Sequence, residues 1–102
     1  MARLEELIDQ IPLFGGLPKL QRTRLAAPAV RKRFQRGELI FSEGESARGF
    51  FVVLKGRVKV FKLGQEGKEQ ILHIIEKGEP FGEVPVFEGT SFPAHAEALQ
   101  ET

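Results

Sequence analysis

The sequence predicts a mainly-β fold, a single β-roll led into by short helices. Three observations carry that expectation. Short runs rich in Val, Ile and Phe fill the chain from Val30 onward, and glycines 56, 67 and 78 recur every eleven residues. A helical apolar period is read only ahead of Pro28. Glycines at that spacing suit successive hairpins, each turn needing a residue free to take positive φ.

Leu4, Leu7, Ile8 and Ile11 fall at i, i+3, i+4 and i+7, the stripe of a short amphipathic helix. Pro12 and Gly15-Gly16 interrupt it. Pro18 suits the first turn of a second helix with Leu17, Leu20 and Leu25 inward, which Pro28 should end. The runs GELIFSEGE, GFFVVLKG, GRVKVFKLG and KEQILHIIEKG then read as strands bounded by glycine. In GRVKVFKL, Val58 and Val60 point one way and Arg57, Lys59 and Phe61 the other. A lone sheet cannot bury so many short strands, so a rolled or two-layer structure is expected. One domain over 1–102 follows, with a helical lead-in over 1–28 and a β-roll over 29–102.

Composition narrows the function classes. A chain of 102 residues buries roughly two thirds of its unfolded surface, enough for one core. It has no cysteine, so disulfides, thiolate zinc sites and cysteine-ligated iron–sulfur clusters are excluded. Fifteen basic against fourteen acidic residues give a net charge of +1 and no general pull toward nucleic acid or anionic membrane. The N-terminus carries three acidic residues in its apolar pattern, unlike a signal peptide, and no run is long enough to span a bilayer. A cytoplasmic, soluble protein with no membrane partner is expected.

Several blocks, in order, carry a resemblance: IPLFGGL, FQRGELIFSEGE with Gly37-Glu38 and Gly44-Glu45 at its turns, GFFVVLKGRVKVFK around Gly56, and KGEPFGEVPVF. From about Ile11 to Thr102 the chain resembles the sensor domain of the CRP/FNR family of bacterial transcription regulators, a cyclic-nucleotide-binding-like jelly roll (double-stranded β-helix). The resemblance implies an effector-sensing, non-enzymatic domain of a homodimeric regulator. It also implies a further strand, a dimerisation helix and a helix-turn-helix domain that would carry DNA binding. None of these is in this sequence. The chain therefore reads as an N-terminal piece, truncated inside the strand after the ligand-binding cassette, with an open strand edge left to pair elsewhere.

In cyclic-nucleotide binders of this family the cassette begins Phe-Gly-Glu, matched here by Phe81, Gly82 and Glu83. Backbone N–H groups at the following helix start face the phosphate, and the glutamate accepts from the ribose. Nine residues beyond that glutamate the binders place an arginine for the cyclic phosphate. Here Phe92 occupies that position and Pro93 follows, and no Arg or Lys occurs between Lys77 and Thr102. Losing that charge-assisted bond, worth about 1.5–3 kcal/mol, should weaken phosphate binding by roughly ten- to a hundredfold or more. SFPAHAEALQET instead resembles FNR-like branches that sense other small-molecule effectors. The candidate effector site is Phe81, Gly82, Glu83, Val84, Phe92 and Pro93, with the effector unidentified and cyclic AMP not expected to be it.

Alternatives stand beside these readings. Glu83 suits a short helix start as well as a ligand contact, and Phe92 either lines a pocket or fills the space the arginine would take. His73 and His95 leave haem or metal ligation open, but two isolated histidines do not make a cupin-type metal centre. The basic run Arg22, Arg24, Arg31, Lys32, Arg33 and Arg36 reads as a solvated connection, since nothing aromatic interleaves it as in single-strand binders. A stand-alone cyclic-nucleotide-binding regulatory module is the second functional reading.

Overall fold

A computed structural model describes residues 29–102, and the chain divides into two compact units after Lys32. The helices expected over 1–28 lie outside the described residues. Every described strand belongs to the second unit, Arg33–Thr102.

That unit is mainly β and wholly antiparallel. Strands β1 (Leu39–Phe41), β2 (Phe51–Val52), β3 (Val58–Leu63), β4 (Glu69–Ile75) and β5 (Pro80–Phe81) precede one short helix, α1 (Glu83–Glu88), and strand β6 (His95–Ala98) follows it. One sheet has the order β1-β6-β3-β4, and β2 pairs with β5 in a second. The chain does not stop inside the strand after the cassette. β6 ends at Ala98, lies between β1 and β3, and is followed by residues whose last, Thr102, exchanges both backbone hydrogen bonds with Phe34 at 2.9 Å.

Three turns share one device. In Gln35–Glu38, Ser42–Glu45 and Glu76–Glu79 the last N–H donates to the first carbonyl, at 3.0, 3.1 and 3.0 Å. The last residue is each time a glutamate whose Oε1 accepts the N–H of the first, at 2.8, 3.2 and 2.9 Å. The third position is glycine at φ 90°, 93° and 87°, the left-handed conformation a type II turn requires there. Each turn is therefore closed from both sides. Gly56, at φ 99°, has a second reason to be glycine: a Cβ there would collide with the Thr102 side chain and the Glu101 carbonyl oxygen.

The core gathers between the sheets around Phe41, Val53, Val58, Phe81, Phe92 and Ala96, with Ile40, Phe51, Val60 and Ile75 packed against it. β6 contributes only alanines to it. Ala96 sits opposite both Phe41 and Val60, and Ala98 opposite Val58. Small side chains on the central strand leave room for the larger ones beside it.

The outer face of β3 is covered in part as well. Lys59 and Phe61 share that face, the ammonium lying 4.6 Å from the ring centroid. Lys59 Nζ also bonds Glu69 at 2.7 Å and approaches Glu97 at 3.5 Å, leaving the side chain about 10% exposed. The hydrogen bond to Glu69 raises the Lys59 pKa above its ordinary 10.5, against an opposing desolvation, and Glu97 adds to the rise. β4 forms one edge of the four-stranded sheet and carries exposed Ile71, Leu72 and Ile74. Leu72 is an extra residue in its pairing, because Val60 faces His73 while Phe61 faces Ile71. Such a bulge twists an edge away from strand addition.

Two outcomes follow for urea unfolding. Gly44→Ala should cost about 1–2 kcal/mol from backbone strain alone, since open space surrounds that position, and Glu45→Ala about 0.5–1 kcal/mol. An unchanged midpoint for Gly44→Ala would rule out the left-handed turn. Because the Lys59 pKa is raised on folding, its contribution is whole at neutral pH. It is lost as pH climbs through 10.5 and past the folded value. Lys59→Met should flatten that alkaline fall, and identical alkaline profiles for the two proteins would contradict the assignment.

Candidate functional site

The segment leaving β5 builds the candidate site. Phe81 ends the strand buried, and Gly82 turns the chain at φ 77° into α1. Pro85 fits the first turn of that helix, where its missing N–H takes nothing away, and it is the buried residue of α1. Gly89, at φ 71°, caps the other end. Its N–H donates to Val86 O at 3.2 Å, and the Thr90 N–H to Pro85 O at 2.8 Å. The chain then runs alongside the 42–45 turn. Ser91 bridges Ser46, the Phe92 N–H donates to Glu45 O, and the Gly44 N–H donates to Phe92 O, both at 2.9 Å.

That pairing fixes the backbone of Phe92 and turns its ring inward. The ring lies flat on Phe41, centroids 3.8 Å apart and planes within 8°. Phe41 in turn touches Phe51 at 5.8 Å and Phe81 at 6.0 Å, and Phe51 stacks on Phe81 at 5.3 Å. Gly82 lies at the common edge of the Phe41 and Phe92 rings. A Cβ added there would stand 3.0 Å from Phe92 Cε1 and 3.4 Å from Phe41 Cε2.

Phe81, Gly82 and Phe92 are thus brought together. Glu83 opens α1 half-buried, and its carboxylate makes no hydrogen bond or ion pair among the described residues. Val84 is 57% exposed and Pro93 is exposed, so neither lies in the aromatic cluster. Phe87, 75% exposed, meets Phe50 at 6.0 Å outside it. Phe41 and Phe51 complete the aromatic cluster and were not among the residues expected from sequence. Their signal was the aromatic content of LIF and FFV. All four rings belong to or pack on the buried apolar cluster that also holds Val53, Val58 and Ala96.

The histidines sit elsewhere. His95 Nδ1 accepts from the Glu43 N–H at 3.2 Å and the ring packs on Phe61 at 5.3 Å, whereas His73 is exposed on β4. Among the described residues, no three His, Cys, Asp or Glu side chains gather closely enough to hold a metal ion. A groove of about 340 Å³ is lined by Arg33, Gln35, Arg36 and Glu101, none of them in the aromatic cluster.

Comparison with known proteins places this geometry. The cyclic nucleotide-binding domain family matches residues 31–102. The chain belongs to that family. Among its relatives is the cAMP-dependent protein kinase type II regulatory subunit of Drosophila melanogaster, 32% identical over 78% of this chain and 21% of that protein. Another is the cyclic AMP receptor protein of Thermus thermophilus, 29% identical over 89% of this chain and 42% of that protein. The sensor domain of the transcriptional regulator DNR from Pseudomonas aeruginosa superposes with a TM-score of 0.87 at 28% identity, over 95% of this chain and 65% of that one. This cyclic nucleotide-binding domain is accordingly a mainly-β jelly roll of the CRP type. It spans well under half the length of the curated relatives it matches.

Within the domain the stack makes a stability prediction. Phe92→Ala should cost about 3–5 kcal/mol, while Val84→Ala, on the exposed face of α1, should stay within about 0.5 kcal/mol of the parent. Denaturant titration checks both, and a near-neutral Phe92→Ala would mean that the ring is not packed against Phe41.

Proposed function

We propose that this chain is the effector-sensing domain of a CRP/FNR-type transcription regulator whose effector is not cyclic AMP. The observation that carries the reading is the ring of Phe92. On the resemblance it stands where binders place the phosphate-clasping arginine, and it packs flat on Phe41 with its edge at Gly82. A phosphate brought there would shed water against phenyl rings, and no Arg or Lys stands between Lys77 and Thr102 to receive it. The effector contacts proposed are Phe81, Gly82, Glu83, Val84, Phe92 and Pro93, with Phe41 added as the surface beneath Phe92.

In this reading the domain catalyses nothing. A small molecule held at the cassette favours one arrangement of a homodimer, and DNA is contacted through a domain outside this chain. Coupling of that kind is typically about 1–3 kcal/mol between sites. The relationship to kinase regulatory subunits favours a second reading, a cyclic-nucleotide-binding regulatory module, and one experiment separates the two. Isothermal titration of the 102-residue chain with cyclic AMP should give no binding heat up to about millimolar nucleotide. A micromolar dissociation constant would establish the second reading and overturn the first.

A further inference from the structure

We propose that the exposed face of α1 is an interaction surface for a second copy of this chain, Phe87 of one molecule entering the groove lined by Arg33 and Arg36 of another. The contact goes beyond effector sensing and does not depend on which effector is bound. Val84 and Phe87 stand three residues apart on α1 and so share one helical face, 57% and 75% exposed. Phe50 meets the Phe87 ring at 6.0 Å and widens the apolar patch. A ring held that far into water is stabilised by any surface that covers it. The margins of the patch are acidic. At 3.6 residues per turn Glu83 and Glu88 fall on either side of the Val84–Phe87 face. Neither carboxylate has a hydrogen bond or ion pair among the described residues, and no Arg or Lys occurs between Lys77 and Thr102.

The groove supplies the opposite chemistry. Its volume of about 340 Å³, between Arg33, Gln35, Arg36 and Glu101, admits a phenyl group with room to spare, since about 150 Å³ already takes benzene. Arg33 approaches Glu101 at 3.7 Å, whereas Arg36 has no ion pair among the described residues. A guanidinium stacks on an aromatic face and pairs with carboxylates through its edge, so these arginines can receive the ring and the acids beside it together. The chain is nearly neutral at +1, yet its cations crowd 31–36 and are absent from 78–102. Each copy therefore carries both halves of one complementary pair. Because the two patches differ, the contact is heterologous. One ring and a few ion pairs fall short of the roughly 1,200 Å² of a stable interface, which makes it weak and sensitive to salt.

Dilution is the test. In NMR spectra of the whole chain, going from about millimolar to about ten micromolar protein should move the Phe87 ring and the Arg33 and Arg36 Nε–H signals together. Salt at about 0.5 M should shrink those shifts. Phe87→Ser, a change at an exposed position, should weaken the association at least about tenfold. Glu88→Lys and Arg36→Glu should each stay monomeric alone and associate when mixed, because the intact groove of the first meets the intact helix of the second. Signals that ignore concentration up to about millimolar, or a mixture that stays monomeric, overturn the inference. So does movement of Phe87 without Arg33 and Arg36, which would mean that another surface covers the helix. The cyclic AMP titration that tests the proposed function is unaffected by any of these outcomes.

Discussion

The flat contact between Phe92 and Phe41 is the constraint on which the arrangement turns. Phe41 belongs to the four-stranded sheet and touches Phe51 and Phe81 of the two-stranded one, so a single ring joins the layers. Phe92 covers its remaining face. Two features elsewhere then become necessary. Gly82 must lack a side chain because the ring edge reaches it, and the central strand must be lined with alanine because the phenyl groups already occupy the space between the sheets.

Backbone and side-chain demands separate cleanly in this domain. The turns at 35–38, 42–45 and 76–79 and the pairing of residues 44–46 with 91–92 use peptide groups, glycine conformations and glutamate caps. None of those bonds depends on what side chain stands at position 92. The family fold can therefore persist while the cassette changes chemistry, which is why membership in it identifies the architecture and not the ligand.

What the sequence made legible follows the same division. Glycine spacing and alternation in GRVKVFKL pointed to hairpins and a two-layer roll, because turn conformation and side-chain direction are local properties. The cassette positions were readable through the resemblance, and residue order alone set Phe92 at the expected arginine position. Phe41 could not be singled out, since an aromatic in LIF looks like any core residue until β1 is paired with β6 and the 44–46 segment with 91–92. Lys59 is a similar case. Alternation sets it on the outward face, but its cover comes from Glu69, Glu97 and Phe61, two of them on other strands. The glutamate caps were visible in part: Gly37-Glu38 and Gly44-Glu45 marked turns. The recurrence of glutamate after glycine at 76–79 is the signal that the carboxylate itself closes the loop.

The loss of a cation and the gain of a ring are not equivalent changes. A cassette that merely lacked its arginine would remain a wet, open cleft around free N–H groups, still able to hold an anion weakly. Placing a phenyl ring there removes the water and the volume together, and makes the empty state a packed one. An anion brought to the cassette would therefore meet a packed aromatic surface and not a hydrated cleft, and would have to give up its water against phenyl rings.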